Sequence, residues 1–193
     1  PHLKKGYGRR VKEPVRYPAE LDTTSAWLAG FLVGDGTIPK DDSPVILFAV
    51  TDETEPLLRK HLEAAFGPVG LSVYASHGTT KCRRFVVNAR AVREFFTQRL
   101  GIDPRDKRRV PEPIRRSPAD VVKAFIEGLF CADGYQAVNR HRLISTTSEI
   151  FARELAALLL WIGHGVKLHF ARHGPGAFKP GGTWQVFFCD STC

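Results

Sequence analysis

Two helical stretches of this chain end in an aspartate that is followed at once by a glycine. The first is "WLAGFLVGDG" at residues 27–36, which ends on Asp35, and the second is "FIEGLFCADG" at residues 125–134, which ends on Asp133. Both stretches are otherwise as apolar as buried helices, so a charge at the end of each needs a reason. The spacing of 98 positions (133 − 35) indicates an internal repeat, and this repeat constrains the fold more than any other feature.

Small residues recur at every fourth position of both helices, and residues four apart lie on one helix face. They are Ala26, Gly30 and Gly34 in the first helix and Ala124, Gly128 and Ala132 in the second. Without bulky side chains, two helices can approach more closely than the usual separation of about 8–10 Å between axes. The stripes therefore predict that the two helices pack side by side about a pseudo-twofold axis and that both aspartates emerge together.

The segments that follow the two motifs have the same order in both halves. After the first motif, a short extended segment and the β-type run "PVILFAVT" precede a helix and two more strands, and "YQAVN" and "HRLISTT" begin the same series after the second. The expected fold class is α+β, with two pseudo-symmetric αββαββ(α) repeats around a paired two-helix interface. A last helix, "RAVREFFTQRLG", has no counterpart before Cys193, which indicates a piece of a longer protein or a shortened form.

The segment between the halves, "DPRDKRRVPEPIRRSP", has four prolines and six basic residues in sixteen positions. Such a segment cannot form the interior of a helix and is predicted to be a semi-rigid, positively charged linker. The expected domains are therefore residues 1–103, a first repeat with a basic N-terminal arm; residues 104–117, the linker; and residues 118–193, a second repeat that lacks its final helix.

The ends of the motif helices carry capping signals. Ser117 is expected to be the N-cap of the second motif helix, with Pro118 at its first position and Asp120 completing a capping box. At the other end, Gly36 and Gly134 are the residues that a helix stop requires. The sequence therefore predicts well-defined helices that end at the two acids.

Composition favours a polyanionic partner. The net charge is +8, and the basic residues are clustered, which makes nucleic acid the commonest partner to consider. No apolar run is long enough to cross a bilayer, and no apolar segment follows the basic N-terminus as in a secretory signal. The four cysteines form no CxxC pair, so reduced thiols are expected. We expect an intracellular protein with no membrane partner and no small-molecule substrate.

The paired acids predict a cation. Two carboxylates about 4–5 Å apart repel by roughly 3–4 kcal/mol at an effective dielectric near 20, and both face the negative end of a helix dipole. Mg²⁺ between Asp35 and Asp133 would offset this repulsion, and the carbonyls of Gly34 and Ala132 in the last helical turns could add oxygen ligands. A metal held between paired acids and a phosphodiester can activate water and stabilise the leaving oxygen. The residues thus point to hydrolysis of a nucleic-acid backbone.

The motifs "LAGFLVGDG" and "IEGLFCADG" resemble the nine-residue motif of the LAGLIDADG homing endonucleases. The repeat order extends the resemblance over nearly the whole chain, and the basic linker before the second motif is most similar to endonuclease domains housed in inteins. Val33 and Cys131 stand where the motif has its first acid, at a position that usually tolerates change. The next-to-last acid is intact in both copies.

The resemblance implies a β-saddle in the major groove of double-stranded DNA and a single-chain monomer. It implies that Asp35 and Asp133 bind Mg²⁺, with Mn²⁺ as a possible substitute, and that both strands are cut to leave short 3′ overhangs. Family members also carry a basic or polar residue that orients water near each metal, and Gln136, Lys40 and Lys107 are the candidates for that role. The absence of an N-terminal cysteine or serine and of a terminal His-Asn argues against self-splicing.

Sequence readout is expected on the polar faces of the strands. Long donors such as arginine and glutamine can read guanine and adenine edges, whereas an ordinary solvated sheet face is the alternative for any single residue. The candidate DNA contacts are Lys40, Lys81, Arg83, Arg84, Arg108, Arg109, Arg140, Arg142, Lys167, His169, Arg172, Thr183 and Gln185. The histidines lack a companion ligand pair and do not indicate a zinc site.

The sequence leaves three functions open. A Mg²⁺-dependent, site-specific double-strand DNA endonuclease is the leading hypothesis. A catalytically silent DNA-binding module or regulator of the same fold is the second, although the two intact acids argue against it. An RNA maturase is the third; a sheet that reads the major groove suits DNA better, because the deep major groove of RNA excludes side chains.

Overall fold

The structure is a computed structural model that describes residues 18–41, 43–69, 71–75, 83–103, 106, 108–136, 141–173 and 181–189. The chain forms two halves of one α+β architecture, which confirms the expected fold class. Each half has a four-stranded antiparallel sheet with one face against helices and core. No helix in these ranges combines the length and the hydropathy needed to cross a membrane.

The first half contains the whole predicted series and its final helix. Its elements are α1 (Thr23–Asp35), β1 (Gly36–Thr37), β2 (Val45–Val50), α2 (Thr54–Phe66), β3 (Leu71–Ala75), β4 (Arg83–Asn88) and α3 (Arg90–Glu94), which continues as a π-helical turn over Phe95–Arg99. The rings of Phe95 and Phe96 meet the ring of Phe66 edge to face. The last helix therefore covers the C-terminal end of α2.

The second half repeats this order after a short helix in the linker. Its elements are α4 (Glu112–Arg115), α5 (Ala119–Asp133), β5 (Gly134–Gln136), β6 (Arg142–Thr146), α6 (Glu149–Trp161), β7 (Gly165–Ala171) and β8 (Thr183–Cys189). Both motif helices end at the aspartates from which the repeat was inferred.

The two sheets have corresponding strand orders, β1-β2-β4-β3 and β5-β6-β8-β7. Their registers also correspond. In each sheet, the glycine after the aspartate begins a row of residues that pair across three neighbouring strands. The rows are Gly36, Phe48 and Phe85 in the first sheet and Gly134, Ile144 and Val186 in the second. The four larger residues of these rows are at most 1% exposed, so they face the core. Because side chains alternate along a strand, their neighbours lie on the opposite side, which is called the outer face below.

The motif helices α1 and α5 pack backbone against backbone. A Cβ atom added to Gly30 would lie 2.0 Å from the carbonyl oxygen of Phe125, and one added to Gly128 would lie 1.9 Å from the carbonyl oxygen of Trp27. Neither separation is sterically possible, so the absence of a side chain at both positions permits the contact. The close pair of helices that the small-residue stripes predict is present in the fold.

The predicted N-cap of α5 is wrong. The helix begins at Ala119 with Pro118 as its N-cap residue, and no side chain caps it. The hydroxyl of Ser117 instead donates to the carbonyl of Pro113 at 2.8 Å, because Ser117 ends the turn that follows α4. A capping box does occur at α1, where Asp22 and Ser25 exchange hydrogen bonds between side chains and backbone.

The linker is held against the second half by one mostly buried carboxylate. Glu154 of α6, with a side chain 13% exposed, accepts hydrogen bonds from the guanidinium of Arg109 at 3.0 and 2.7 Å and from the backbone N–H of Val110 at 2.9 Å. Val110 and Ile114 are buried. Pro113 is tolerated in α4 because it lies in the first turn, where a backbone N–H has no partner within the helix. The described part of the linker is therefore a packed part of the fold.

We expect Gly30→Ala and Gly128→Ala to lower the free energy of unfolding by about 3 kcal/mol each, because the added methyl group would meet a helix backbone that cannot move locally. Gly165→Ala is the matched control, since its Cβ would meet only the Sγ of Cys189 at 3.4 Å. Urea unfolding followed by circular dichroism measures both effects. A loss of less than about 1 kcal/mol in both helix variants would show that the helix contact is not tight.

We expect part of the stability to depend on the pH through His61. Its ring stacks on Trp27 with centroids 4.0 Å apart, and burial, with a smaller contribution from Lys60, lowers its pKa below the usual 6.5. The unfolded chain therefore takes up this proton at a higher pH than the folded chain, so the free energy of unfolding falls as the pH drops below 6.5 towards the folded-state pKa. His61→Phe keeps the stacking and should flatten this part of the profile in urea titrations between about pH 7.5 and 5.5. A slope that the substitution leaves unchanged would contradict the role assigned to His61.

Candidate active site

The two motif aspartates leave the paired helices at adjoining positions. Asp35 is the last residue of α1 and Asp133 the last residue of α5. One residue before Asp35, a Cβ atom on Gly34 would lie 2.7 Å from the Cβ of Ala132 and 3.5 Å from the Cβ of Asp133. The helices are thus still in contact where they end, and both acids lie at the same end of the interface.

The glycines after the acids are the C-cap residues of the two motif helices, as expected of a helix stop. Gly36 and Gly134 adopt extended conformations with φ of −92° and −87°, which other residues also adopt. Their N–H groups donate to the carbonyls of Leu32 and Phe130, and a Cβ atom would lie 2.6 and 2.3 Å from these oxygens. Close approach to the last helical turn, rather than a positive φ, therefore requires glycine here. The chain turns at once from each acid into a sheet.

Each acid opens towards a sheet. Asp35 lines a cavity of about 330 Å³ together with Thr37, Leu47 and Ala49 on the outer face and Arg84 beside them. Asp133 lines a smaller cavity of about 60 Å³ whose other walls come from Val33, Gly34, Leu129, Ile144, Ser145, Thr146 and Phe151. Asp35 therefore lies at the outer face of the first sheet, whereas Asp133 lies between the two motif helices, strand β6 and helix α6. Thr37 and Ser145 were not singled out from the sequence, because only the strand register brings them to these cavities.

Cys131 keeps the surroundings of the acids from gaining a further negative charge. Burial raises the pKa of its thiol, and the charges of Glu127 and Asp35 raise it further. The thiol therefore stays protonated at neutral pH. Within the described ranges, no three His, Cys, Asp or Glu residues are grouped as a metal site. A cation at Asp35 and Asp133 would therefore draw its remaining oxygen ligands from backbone carbonyls, water or a bound phosphate, all of which suit a hard divalent ion.

The candidates for orienting water lie in different places. Gln136 is exposed, and its side-chain amide donates to the carbonyl of His141 at 3.1 Å. Its pairing with Arg142 places it on the face of the sheet that Arg142 shares. Lys40 is exposed in the segment after β1, and Lys107 lies outside the described residues.

Four of the candidate DNA contacts lie on the outer faces of the sheets and are at least partly exposed. Arg84 pairs with Ala49 across the first sheet, and Gln185 pairs with Ser145 and His169 across the second. Lys167 shares the outer face of β7 with His169, and both are exposed. Arg172 is exposed just beyond the end of β7. Lys81 and Arg140 lie outside the described residues.

Other candidates make contacts within the chain. Arg83 pairs with Asp52 at 2.5 Å and Glu55 at 2.9 Å, Arg108 pairs with Asp106 at 2.7 Å, and Arg109 binds Glu154 as described above. Thr183 is 6% exposed, with its hydroxyl 3.1 Å from the Nε2 atom of His173. The face of β4 that carries Arg83 therefore approaches α2, whereas Arg84 lies on the outer face.

Arg142 lies on the face opposite to the one expected. Its guanidinium donates to both carboxylate oxygens of Glu127 at 2.5 and 2.8 Å and lies 3.8 Å from the ring centroid of Phe130. Its side chain is only 16% exposed. Because Glu127 and Phe130 belong to the last two turns of α5, Arg142 ties the helix end that carries Asp133 to strand β6.

These features define a two-fold repeated α+β protein with paired helix-terminal acids and two open sheet faces. Residues 120–175 match the model of the LAGLIDADG-like domain. The resemblance of the chain to the LAGLIDADG family, which the two motifs indicated, is confirmed by this match and by the fold.

Curated relatives match the chain over most of its length. Over 154 residues it is 32% identical to an A-type ATP synthase subunit from Pyrococcus abyssi, an alignment covering 77% of this chain and 14% of that protein. The glutamine–fructose-6-phosphate aminotransferase of Methanocaldococcus jannaschii is 23% identical over 78% of this chain and 14% of its own length. The DNA polymerase of Thermococcus kodakarensis is 27% identical over 83% of this chain and 9% of its own length. The chain thus spans a small part of each of these relatives.

Solved structures share the fold at low sequence identity. I-DmoI, a homing endonuclease, in complex with DNA and Mn is 17% identical with a TM-score of 0.60, over 88% of this chain and 90% of that chain. Its complex with DNA and Ca is 18% identical with a TM-score of 0.62, over 86% and 82%. Full-length DUF199/WhiA from Thermatoga maritima is 14% identical with a TM-score of 0.58, over 88% of this chain and 51% of that chain.

We expect Arg142→Ala to lower the free energy of unfolding by about 2 kcal/mol, since it removes a bidentate ion pair, a contact with an aromatic ring and buried side-chain stem. Arg116→Ala is the matched control, because its ion pair with Glu112 within one helix turn is exposed and should contribute less than about 0.5 kcal/mol. Chemical denaturation measures both variants, and an equal loss in the two would contradict the role assigned to Arg142.

Proposed function

We propose that this chain is a site-specific endonuclease that hydrolyses phosphodiester bonds in both strands of duplex DNA. The observation that carries the proposal is the pair of aspartates at the end of one tight helix interface, each beside a strand of its own sheet. When a duplex lies against two sheets that a pseudo-twofold axis relates, the same axis relates its two strands. Each of the two acids would therefore serve the scissile phosphate of one strand. We propose that the two cuts leave short 3′ overhangs.

The fold relatives and the charge support DNA as the partner. Structures with this fold have been solved as complexes of I-DmoI with DNA in the presence of Mn and of Ca. The net charge of +8 favours a polyanion, and Arg84, Lys167 and Arg172 present their charges on or beside the outer faces. We infer that the outer faces of the two sheets form the DNA-binding saddle and that a monomer, with its internal symmetry, binds one duplex.

The donor set suits Mg²⁺, or Mn²⁺ in its place. Asp35 and Asp133 would hold the cation through their carboxylates, and the carbonyls of Gly34 and Ala132 in the last helical turns would be the protein ligands nearest to them. When bound, such a metal activates water and stabilises the leaving oxygen of a phosphodiester. Gln136, Lys40 and Lys107 remain the proposed groups for orienting the attacking water. The amide of Gln136 would donate or accept a hydrogen bond, and either lysine would donate one.

The curated relatives support an inserted element as the biological setting. An ATP synthase subunit, an aminotransferase and a DNA polymerase share no reaction, yet each matches this chain over 9–14% of its length. A segment common to three such enzymes cannot carry the chemistry of any one of them. We infer that the matched segment is an independent unit inserted into its hosts, as in an intein.

We expect Asp35→Asn and Asp133→Asn to abolish cleavage while changing DNA affinity by less than about threefold. Each substitution keeps the shape of the side chain but removes the charge that would hold the cation. The measurement is cleavage of a plasmid that carries a target site selected from a randomised library, with Mg²⁺, alongside binding of the same site with Ca²⁺. The exposed Asp41→Asn is the matched control and should cut like the wild-type chain.

This experiment also separates the proposal from its main alternative. Wild-type protein that binds a selected site tightly but leaves it uncut with Mg²⁺ and with Mn²⁺ would be a non-cleaving DNA-binding protein of the same fold. Cutting retained by both Asn variants would contradict the role of the paired acids.

A further inference from the structure

Arg84 and Gln185 occupy equivalent positions in the two sheets. Each buried row described above has a neighbouring row one residue further along the strands. The residues paired in this neighbouring row are Ala49, Arg84 and Tyr74 in the first sheet and Ser145, Gln185 and His169 in the second. Arg84 lies on β4 and Gln185 on β8, which are the third strands in the two corresponding strand orders, at the same step of the register. The pseudo-twofold axis that relates the halves therefore relates these two side chains.

Both side chains belong to the outer face. Arg84 is flanked on β4 by Phe85, which is fully buried on the core face, and Gln185 is flanked on β8 by the fully buried Val186. Alternation along a strand therefore directs Arg84 and Gln185 away from the core. Arg84 also lines the cavity that contains Asp35, which places it beside the proposed cleavage centre rather than at the far end of the saddle.

Both side chains have donors to offer to a ligand. Throughout the described part of the chain, the structure records no ion pair or side-chain hydrogen bond for Arg84 or Gln185, whereas Arg83 and Arg142 pair with acids. The residues across the sheet from them on β2 and β6, Ala49 and Ser145, are small and uncharged. On this side of each position, the outer face leaves room for a base edge.

The two side chains differ in the base that they suit. A guanidinium donates two parallel hydrogen bonds to the O6 and N7 atoms of guanine, whereas a carboxamide donates to N7 and accepts from N6 of adenine. A palindromic target would present the same base to both symmetry-related positions. We propose that Arg84 and Gln185 are specificity-determining residues that read guanine in one half-site and adenine at the equivalent position of the other. The recognised duplex is therefore asymmetric at this pair of positions.

This inference rests on the proposed binding of DNA by the saddle, and a binding selection tests it without cleavage. The wild-type chain, Arg84→Gln, Gln185→Arg and the double exchange are each used to select sites from a randomised duplex library in Ca²⁺. Arg84→Gln should change one preferred G·C pair to A·T, and Gln185→Arg should make the opposite change at the equivalent position of the other half-site. The double exchange should invert the asymmetry of the site.

The affinities provide a second measure with a matched control. On the wild-type site, each single exchange should weaken binding about tenfold, and the correspondingly altered base pair should restore most of that loss. Arg172→Gln is the matched control: the arginine is exposed beyond the end of β7, where we expect it to contact DNA phosphates, so its loss should weaken binding to all sites alike without changing base preference. Circular dichroism of each variant checks that the fold is intact.

The outcomes distinguish a failure of this inference from a failure of the proposed function on which it rests. A wild-type selection that enriches a site, combined with unchanged base preferences in all three variants, would overturn the assignment of Arg84 and Gln185 and leave the nuclease proposal standing. A selected site with the same base at both equivalent positions would overturn it as well. A wild-type chain that enriches no sequence at all would contradict both proposals.

Discussion

The contact between the backbones of α1 and α5 is the constraint on which the rest of the structure depends. Gly30 and Gly128 place each helix against a carbonyl group of the other, so no flexible side chain lies between the two axes. Backbone packed on backbone has little freedom to adjust. The helices can therefore end together, and the acids that follow Gly34 and Ala132 are positioned by helix geometry rather than by the loops around them.

Within this symmetric frame, the two halves support their acids by different physical means. Ile46 and Arg142 stand at equivalent steps of the register, two residues before Phe48 and Ile144. Ile46 is fully buried among apolar residues, whereas Arg142 binds Glu127 and covers the ring of Phe130. At this step the first sheet thus has an apolar core residue, whereas the second has an arginine that clamps the end of α5. A pseudo-symmetric fold can in this way surround two related acids with unlike environments and present unlike side chains to the two sides of one ligand.

The sequence predicted most of the architecture because its strongest signals are local and occur twice. The alternation in Val45–Val50 and the apolar spacing in α6 each identify an element without knowledge of its partners. Ser117 shows where local reasoning fails: its hydroxyl suits an N-cap, but the turn of α4 offers it the carbonyl of Pro113. The prediction for Arg142 is wrong for a similar reason. Alternation shows which residues share a face of a strand, but it does not show which face is buried when a charged residue has a partner in another element.

By itself, the sequence determined the repeat, the order of the elements, the closeness of the two motif helices and the location of Asp35 and Asp133 at their ends. These features depend on residue type and spacing alone, since glycine and alanine permit close packing wherever a partner stripe exists. Only the tertiary structure decided which arginines remain on the outer faces and which are bound by Glu55, Glu127 or Glu154. The physical reason is that an ion pair joins residues distant in sequence, so the availability of a charge is a property of the folded arrangement.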